Sequence, residues 1–194
     1  MMRKEEIVRE TKETRIRLNL NLDGGGESNI KTSIPFFDHL LSLLSHHSMF
    51  DLDIEANGDL PHHIIEDIGI CLGEAFNKTL GNKKGINRYA DITIPMDEAL
   101  VIVSLDISGR PNLVIKRDNI AFEFSGIVDG LDTSLIQAFL KAFVDNSKIT
   151  LHIVILYGSD THHIIEAIFK GIGRVLKGAT RIEREDIPSS KGMI

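Results

Sequence analysis

The sequence has almost no cysteine: Cys71 is the only thiol among its 194 residues. One cysteine cannot form a disulfide within the chain, which excludes a small secreted fold held together by disulfides. No apolar run approaches the ~20 residues that a transmembrane helix needs, and the longest, at 149–157, is interrupted by His152. The first residues also lack the apolar segment of a secretory signal. We therefore expect a cytoplasmic protein that does not span a membrane.

The sequence also lacks an excess of positive charge. Acidic residues outnumber basic ones, 28 to 22, and the formal net charge is -6. A surface of this sign does not attract phosphate backbones or anionic lipids, so nucleic acids and membranes are not expected partners. Hydrophobic residues make up 42% and charged residues 26%, the proportions of an ordinary globular protein.

Histidine is the residue type that stands out, because six of the eight histidines occur as adjacent pairs. The pairs are His46-His47, His62-His63 and His162-His163. The segment His-His-Ile-Ile-Glu at 62–66 recurs at 162–166, and seven of twelve residues are identical between 62–73 and 162–173. Upstream the two copies align with an offset of 99 residues. We interpret this self-similarity as an internal duplication of about 45 residues.

Hydrophobic periodicity gives both copies the same order of elements. Helical spacing over 36–44 and 135–143 predicts two amphipathic helices, each followed by a short strand and then by a helix that begins at a histidine pair. Strands are predicted at residues 15–22, 50–55, 88–94, 99–107, 112–116 and 149–157. The predicted fold class is therefore α+β, internally duplicated, with helices packed on or between two sheets.

Local signals set the expected boundaries. Asp59 and Asp160 occupy N-cap positions before the two histidine helices, and Gly81 and Gly178 stand where these helices are expected to end. No linker rich in Pro, Gly or Ser separates the copies, so we expect one domain with a shared core. Its parts are a first half at about 1–84, a second half at 85–180 and a C-terminal tail at 181–194.

The histidine pairs are candidates for a metal site. Adjacent helical residues point about 100° apart, whereas residues three or four apart share a face. Glu66 can therefore approach the ring of His62 or that of His63. The two rings suit two different metal ions, or one metal and one substrate, better than chelation of a single ion. Two copies of this arrangement predict two metal ions, for which mixed imidazole and carboxylate ligation favours Mn or Fe(II). The alternative is that the pairs are solvated, with Glu66 and Glu166 complementing the helix dipoles.

Basic residues near turns form a second cluster. Arg88 and Arg110 each follow a glycine closely, and Lys191 follows Ser189 and Ser190. Guanidinium groups, hydroxyls and a lysine beside a glycine match what a phosphate monoester needs. The alternative is that each is an ordinary partner in a surface salt bridge. A C-terminal tail that docks onto a phosphate would explain this composition.

Nine segments in one order carry specific motifs, among them Phe-Asp-His-Leu at 37–40 and Pro-Ser-Ser-Lys-Gly at 188–192. The segments are 11–14, 37–40, 47–52, 62–67, 86–89, 95–100, 106–111, 162–166 and 188–192. Through them the chain resembles, nearly end to end, the imidazoleglycerol-phosphate dehydratase family of histidine biosynthesis.

The resemblance implies a fold of the ribosomal-S5-domain-2-like kind and a homo-oligomer of 24 subunits with active sites between subunits. It implies the dehydration of D-erythro-imidazoleglycerol phosphate to imidazole acetol phosphate, through a metal-bound imidazolate and a diazafulvene-like intermediate. The resemblance also implies two Mn(II) ions per active site, with Zn, Fe or another divalent metal as substitutes in vitro.

Residue by residue, the resemblance implies three groups of site residues. The metal ligands would be His39, His62, His63, Glu66, His162, His163 and Glu166. The catalytic residues would be Glu13, as acid and base, and Asp97 in the substrate pocket. The other substrate-binding residues would be His47 and, for the phosphate, Arg88, Arg110, Ser189 and Lys191.

One expected ligand is missing from the second copy. Ala138 stands at the position that corresponds to His39, where many members of the family have a histidine. Two alternatives to the dehydratase stay open: a non-catalytic assembly that binds two metals, and a lyase acting on a related phosphorylated imidazole. Turnover of imidazoleglycerol phosphate separates the three hypotheses.

Overall fold

The computed structural model describes residues 3–194 as two main sheets and four long helices. The elements up to residue 79 are β1 (Lys4–Glu10), β2 (Thr14–Asn21), β3 (Ser28–Lys31), α1 (Pro35–Ser48), β4 (Asp51–Gly58) and α2 (Pro61–Thr79). The later elements are β5 (Tyr89–Met96), β6 (Ala99–Asp106), β7 (Asn112–Arg117), β8 (Ile120–Ala121), β9 (Ile127–Val128), β10 (Leu131–Asp132), α3 (Ser134–Ser147), β11 (Thr150–Tyr157) and α4 (Thr161–Thr180).

The two main sheets share one topology. The first has the strand order β1-β2-β4-β3 and the second has the order β5-β6-β11-β7-β8. In both, the third strand in the order pairs antiparallel with the second and parallel with the fourth. The first two strands of each order also pair antiparallel. The α+β class is confirmed, and the matching topologies are consistent with an internal duplication.

The helices lie between the two sheets. α2 packs on the first sheet and α4 on the second, while α2 contacts α3 and α1 contacts α4 across the middle. In β2 the apolar side chains Ile16, Leu18 and Leu20 are at most 2% exposed and alternate with polar neighbours, as the strand pattern predicts. The apolar stripes of α2 and α4 are likewise buried. This packing presents the N-terminal turns of both histidine helices at the edge of the helical layer.

One of the two predicted N-caps is wrong. Asp59 does not cap α2, because Pro61 is the first helical residue and Leu60 becomes the N-cap. Proline suits that position, since its missing N–H has no intrahelical partner there. Asp160 does cap α4, because its carboxylate accepts a hydrogen bond from the backbone N–H of His162 at 2.8 Å.

Of the two glycines predicted to end the histidine helices, Gly81 follows the end of α2 but Gly178 does not end α4. Gly81 has a φ of +53° just after α2, as a terminating glycine should. Gly178 instead lies inside α4, where a Cβ would stand 3.1 Å from the Cβ of Ala90, so its small size serves close packing on β5. β5 also continues through Pro95, which an edge strand tolerates.

Within residues 3–194, no helix combines the length and apolar character needed to cross a membrane. The division into halves at residues 84 and 180 stays a prediction.

Candidate metal and substrate site

The histidine pairs at 62–63 and 162–163 each occupy the first turn of a helix that directly follows a strand, β4 before α2 and β11 before α4. The ring planes of His62 and His63 are inclined by 84°, with centroids 5.9 Å apart. Those of His162 and His163 are also inclined by 84°, with centroids 6.0 Å apart. The prediction that adjacent rings diverge is therefore confirmed, and the two rings of a pair serve different neighbours.

Glu166 is the centre of the cluster at the start of α4. Its Oε1 lies 2.8 Å from Nε2 of His39 and 3.0 Å from Nε2 of His162, while its Oε2 accepts a hydrogen bond from Lys170 at 2.7 Å. Burial is the largest single influence and opposes ionisation, but the hydrogen bonds from Lys170, His39 and His162 outweigh it and hold the pKa of Glu166 at about 2. The carboxylate is therefore charged at neutral pH and draws both imidazole rings to one oxygen.

The remaining ring nitrogens of this cluster contact other carboxylates. Nδ1 of His162 lies 2.8 Å from Oδ2 of Asp129, and Nδ1 of His163 lies 2.7 Å from Oε2 of Glu98. The hydrogen bond with His163 is the main cause that lowers the pKa of Glu98 to about 2. A carboxylate at Nδ1 favours the tautomer whose Nε2 carries the free lone pair, the nitrogen that a metal would bind. Oδ2 of Asp97 lies 3.6 Å from Nε2 of His163.

The cluster at the start of α2 is more open. Nε2 of His62 lies 3.3 Å from Oε2 of Glu66, and their side chains are 54% and 50% exposed. Nδ1 of His63 lies 2.7 Å from Oδ1 of Asp59. Glu13, in the turn between β1 and β2, places its carboxylate 3.8 Å from the same nitrogen. Glu66 therefore contacts His62 and not His63, whose Nδ1 contacts Asp59 instead.

Arg88 does not present a free guanidinium. Its side chain is 13% exposed, Nε donates to Asp106 at 2.8 Å, and Nη1 donates to the carbonyl of Pro188 at 2.9 Å. Arg88 and Ser189 line one surface pocket. The tail therefore docks beside Arg88, through a contact within the protein.

Arg88, one of the predicted phosphate residues, lies far from the histidines at the start of α4 in the same chain. The backbone N–H of Arg88 bonds to Ala179 in the last turn of α4, whereas His162 lies in its first turn. A helix rises 1.5 Å per residue, so about 26 Å separates these two ends. Arg110 and Lys191 are exposed. One chain alone does not bring Arg88 together with the histidines at the start of α4.

His47 also lies outside the histidine clusters. It stands eight residues after His39 on α1, about 12 Å along the helix. Burial and then the charges of His46, Lys170 and Arg174 lower the pKa of His47. These basic neighbours are typical of a site for an anionic group.

Four side chains at the clusters were not predicted as site residues. Asp59 was assigned to a cap, and neither Glu98 nor Asp129 belongs to a periodic pattern. Lys170 follows Glu166 by four residues, and this helical spacing was the one signal that pointed to it.

No group of three or more His, Cys, Asp or Glu side chains among residues 3–194 forms a ready metal shell in the single chain. The donors nevertheless have the right chemistry, because imidazole nitrogens and carboxylate oxygens suit Mn, Fe and Zn. Each cluster alone therefore offers only part of the donor set that a metal ion would need.

Two matched sheets enclose a helical layer, and imidazole and carboxylate groups cluster at two helix starts, which defines an α+β protein with two equivalent polar sites. The model of the family "Imidazoleglycerol-phosphate dehydratase" matches residues 32–176. The chain belongs to this family.

Individual relatives extend the match over the whole chain. An imidazoleglycerol-phosphate dehydratase from Azorhizobium caulinodans is 50% identical over 200 residues, covering 100% of this chain and 99% of its own length. One from Caldicellulosiruptor bescii is 52% identical and covers 97% of each chain. The crystal structure of the dehydratase from Staphylococcus aureus matches with a TM-score of 0.83 and 38% identity, covering 93% of this chain and 99% of that one.

Proposed function

We propose that this protein catalyses the dehydration of D-erythro-imidazoleglycerol phosphate in histidine biosynthesis, as a carbon-oxygen lyase. The observation that carries the proposal is family membership over the whole chain, joined to imidazole and carboxylate donors at both histidine helices. In this reaction the C3 hydroxyl and the C2 proton leave as water, and the resulting enol becomes imidazole acetol phosphate. A cytoplasmic location is part of the proposal, supported by the free, buried thiol of Cys71.

The proposed cofactor is a pair of divalent metal ions, Mn(II) by preference, in each active site. The ligands that we propose are His39, His62, His63, Glu66, His162, His163 and Glu166. When bound, a divalent ion supplies Lewis acidity that polarises the imidazole of the substrate and eases loss of its ring proton. The carboxylates at Nδ1 of His63, His162 and His163 support the proposal, since they favour the tautomer with a lone pair on Nε2, the nitrogen that would bind the metal.

Glu13 is the proposed acid and base, and Asp97 is the proposed catalytic residue in the substrate pocket. Glu13 lies in the β1–β2 turn with its side chain 59% exposed, 3.8 Å from His63. Asp97 lies in the corresponding β5–β6 turn with its side chain 75% exposed, 3.6 Å from His163. An exposed carboxylate beside a proposed metal ligand can accept or return a proton on a substrate held there. We assign removal of the C2 proton to Glu13.

The proposed assembly is a homo-oligomer, with the 24 subunits that the family resemblance implies. Arg110, Ser189, Lys191 and the anchored Arg88 would bind the phosphate, and His47 would line the substrate pocket. The ~26 Å between the two ends of α4 supports a site shared between subunits, because one chain separates its phosphate residues from its histidines.

Turnover tests the proposal. The full-length protein would be stripped with a chelator, reloaded with Mn(II), assayed for conversion of imidazoleglycerol phosphate, and analysed for metal on the same sample. We expect activity to return with about two metals per chain. Metal bound without turnover would favour the non-catalytic assembly, to which Ala138 lends support. Turnover of another phosphorylated imidazole alone would favour the related lyase.

The substitution Glu13→Gln tests the assignment of the base. We expect it to lower kcat by about 100-fold or more while the metal content stays unchanged. Glu10→Gln, the same exchange at an exposed position of the same hairpin, is the matched control and should retain activity. Full activity of Glu13→Gln would rule out this role.

A further inference from the structure

The contacts of α2 with α3 mirror those of α4 with α1. A Cβ on Gly73 of α2 would lie 2.7 Å from the Cβ of Asn146 on α3. A Cβ on Gly173 of α4 would lie 3.0 Å from the Cβ of His47 on α1. These two contacts fix the register of each helix pair, since neither glycine leaves room for a shift.

Counting back by the same number of residues from each contact leads to a glutamate on one helix and to the residue that faces it on the other. Seven residues before Gly173 is Glu166, and eight before His47 is His39. This pair is in contact, with Nε2 and Oε1 2.8 Å apart. Seven residues before Gly73 is Glu66, and eight before Asn146 on α3 is Ala138.

The absence of an imidazole at Ala138 coincides with an open carboxylate. The Glu166 side chain, covered by His39 and a second imidazole, is 10% exposed. The Glu66 side chain is 50% exposed, and among residues 3–194 its one imidazole contact is His62 at 3.3 Å. Ala138 lines a groove beside β7, and its methyl side chain carries no atom that could bind a metal ion.

The imidazole of the open cluster is also less restrained. Nδ1 of His162 contacts Asp129 at 2.8 Å, which orients the ring. Within residues 3–194, no carboxylate makes the equivalent contact with Nδ1 of His62. Ordering a ring on metal binding costs conformational entropy, so this difference acts in the same direction as the missing ligand.

We propose that the two metal half-sites of this chain are unequal: the half-site at Glu166 binds a divalent cation tightly, the half-site at Glu66 binds one weakly, and Ala138 determines the difference. This inference rests on the proposed function for the presence of two metals. Loss of a residue that only orients a ligand lowers metal affinity by 10- to 100-fold, so loss of a ligand should separate the two affinities by about tenfold or more.

The test is a titration of chelator-stripped, full-length protein with MnCl2, in which the EPR signal of free Mn(II) reports how much is bound. We expect two classes of about one Mn(II) per chain, with dissociation constants at least about tenfold apart. Ala138→His should move the weaker class toward the stronger one. Lys141→His adds an imidazole one turn along α3, where the side chain is 61% exposed, and should change neither class.

A variant in the other half keeps the test decisive if Ala138→His does not fold. His39→Ala should convert the tight class into a weak one and leave two similar weak classes. Two equal classes in the natural protein, or a weak class unaffected by Ala138→His in a folded variant, would overturn the inference. Turnover measured on the same samples separates this result from the proposed function: unequal classes without turnover would reject the enzyme and keep the inequality, and no bound Mn(II) would reject both.

Discussion

At the scale of single residues, Glu98 shows how one carboxylate can organise the start of a histidine helix. It contacts Nδ1 of His163 at 2.7 Å and accepts hydrogen bonds from the backbone N–H groups of Ser159 and Asp160 at 3.2 and 2.8 Å. The β5–β6 turn, the end of β11 and the first turn of α4 therefore converge on one side chain. Because charged hydrogen bonds are about twice as strong as neutral ones, this carboxylate holds the imidazole in a defined orientation.

Glu98→Gln should weaken metal binding without removing a proposed ligand. The amide can still accept a backbone hydrogen bond, but it lacks the charge that favours the Nε2 lone pair of His163. We expect Mn(II) affinity to fall by about tenfold, measured by titration with detection of free Mn(II). Asp91→Asn, on the exposed side of the edge strand β5, is the control, and an unchanged affinity in Glu98→Gln would contradict the role of Glu98.

At the scale of elements, Asp51 at the start of β4 fixes the turn between β2 and β3. Its carboxylate accepts hydrogen bonds from the side-chain amide of Asn21 at 2.8 Å and from the backbone N–H groups of Gly25 and Glu27 at 2.8 and 3.2 Å. Burial opposes ionisation most strongly, yet these hydrogen bonds together lower the pKa of Asp51 below its usual 3.8. The stability that they contribute is therefore present above that pH and is lost as the pH falls through the folded-state pKa.

Asp51→Asn should destabilise the protein by about 1 to 2 kcal/mol at pH 7, because the new amide meets the amide of Asn21 as donor against donor. The difference from the natural protein should shrink as the pH falls below about 4. Urea unfolding at pH 7 and at a pH below about 4, with equal protein concentrations, measures this difference in stability. Asp91→Asn serves again as an exposed control, and a difference that does not depend on pH would show that the charge of Asp51 is unimportant.

The elements themselves follow from periodicity wherever one face is buried. The stripes from Ile64 to Phe76 and from Ile164 to Val175 were predictable because an amphipathic helix repeats its apolar residues every three or four positions. The short strands β8, β9 and β10 have two residues each, too few for any period to register. Asp59 was misplaced because Pro61 competes for the helix start, a choice that depends on local geometry.

At the scale of the whole molecule, the histidine clusters were predictable and their environment was not. The repeated motif places His62 and His162 on equivalent helix starts, since sequence spacing alone fixes a helical face. The contacts of Asp129 and Glu98 with these clusters bridge 33 and 65 residues of chain. Contacts of that range depend on tertiary packing, which no local pattern encodes.

The length of α4 leads to a prediction about the assembly. His162 and Arg88 lie at opposite ends of this helix, about 26 Å apart, so we expect a site that binds both imidazole and phosphate to combine two subunits. Glu166→Gln should remove activity through the metal cluster, and Arg110→Ala should remove it through the phosphate. Mixed before dissociation and then reassembled, the two inactive variants should regain up to about a quarter of the natural activity, because random pairing restores one intact combination in four.

The measurement is turnover of imidazoleglycerol phosphate after reassembly, compared with each variant treated alone. A mixture prepared without dissociation is the control and should stay inactive if subunits exchange slowly. A chain carrying both substitutions, reassembled with the natural protein, gives the reference for random mixing. If the two single variants fail to complement each other while that reference recovers activity, the phosphate and metal residues must act within one chain, and the shared site would be wrong.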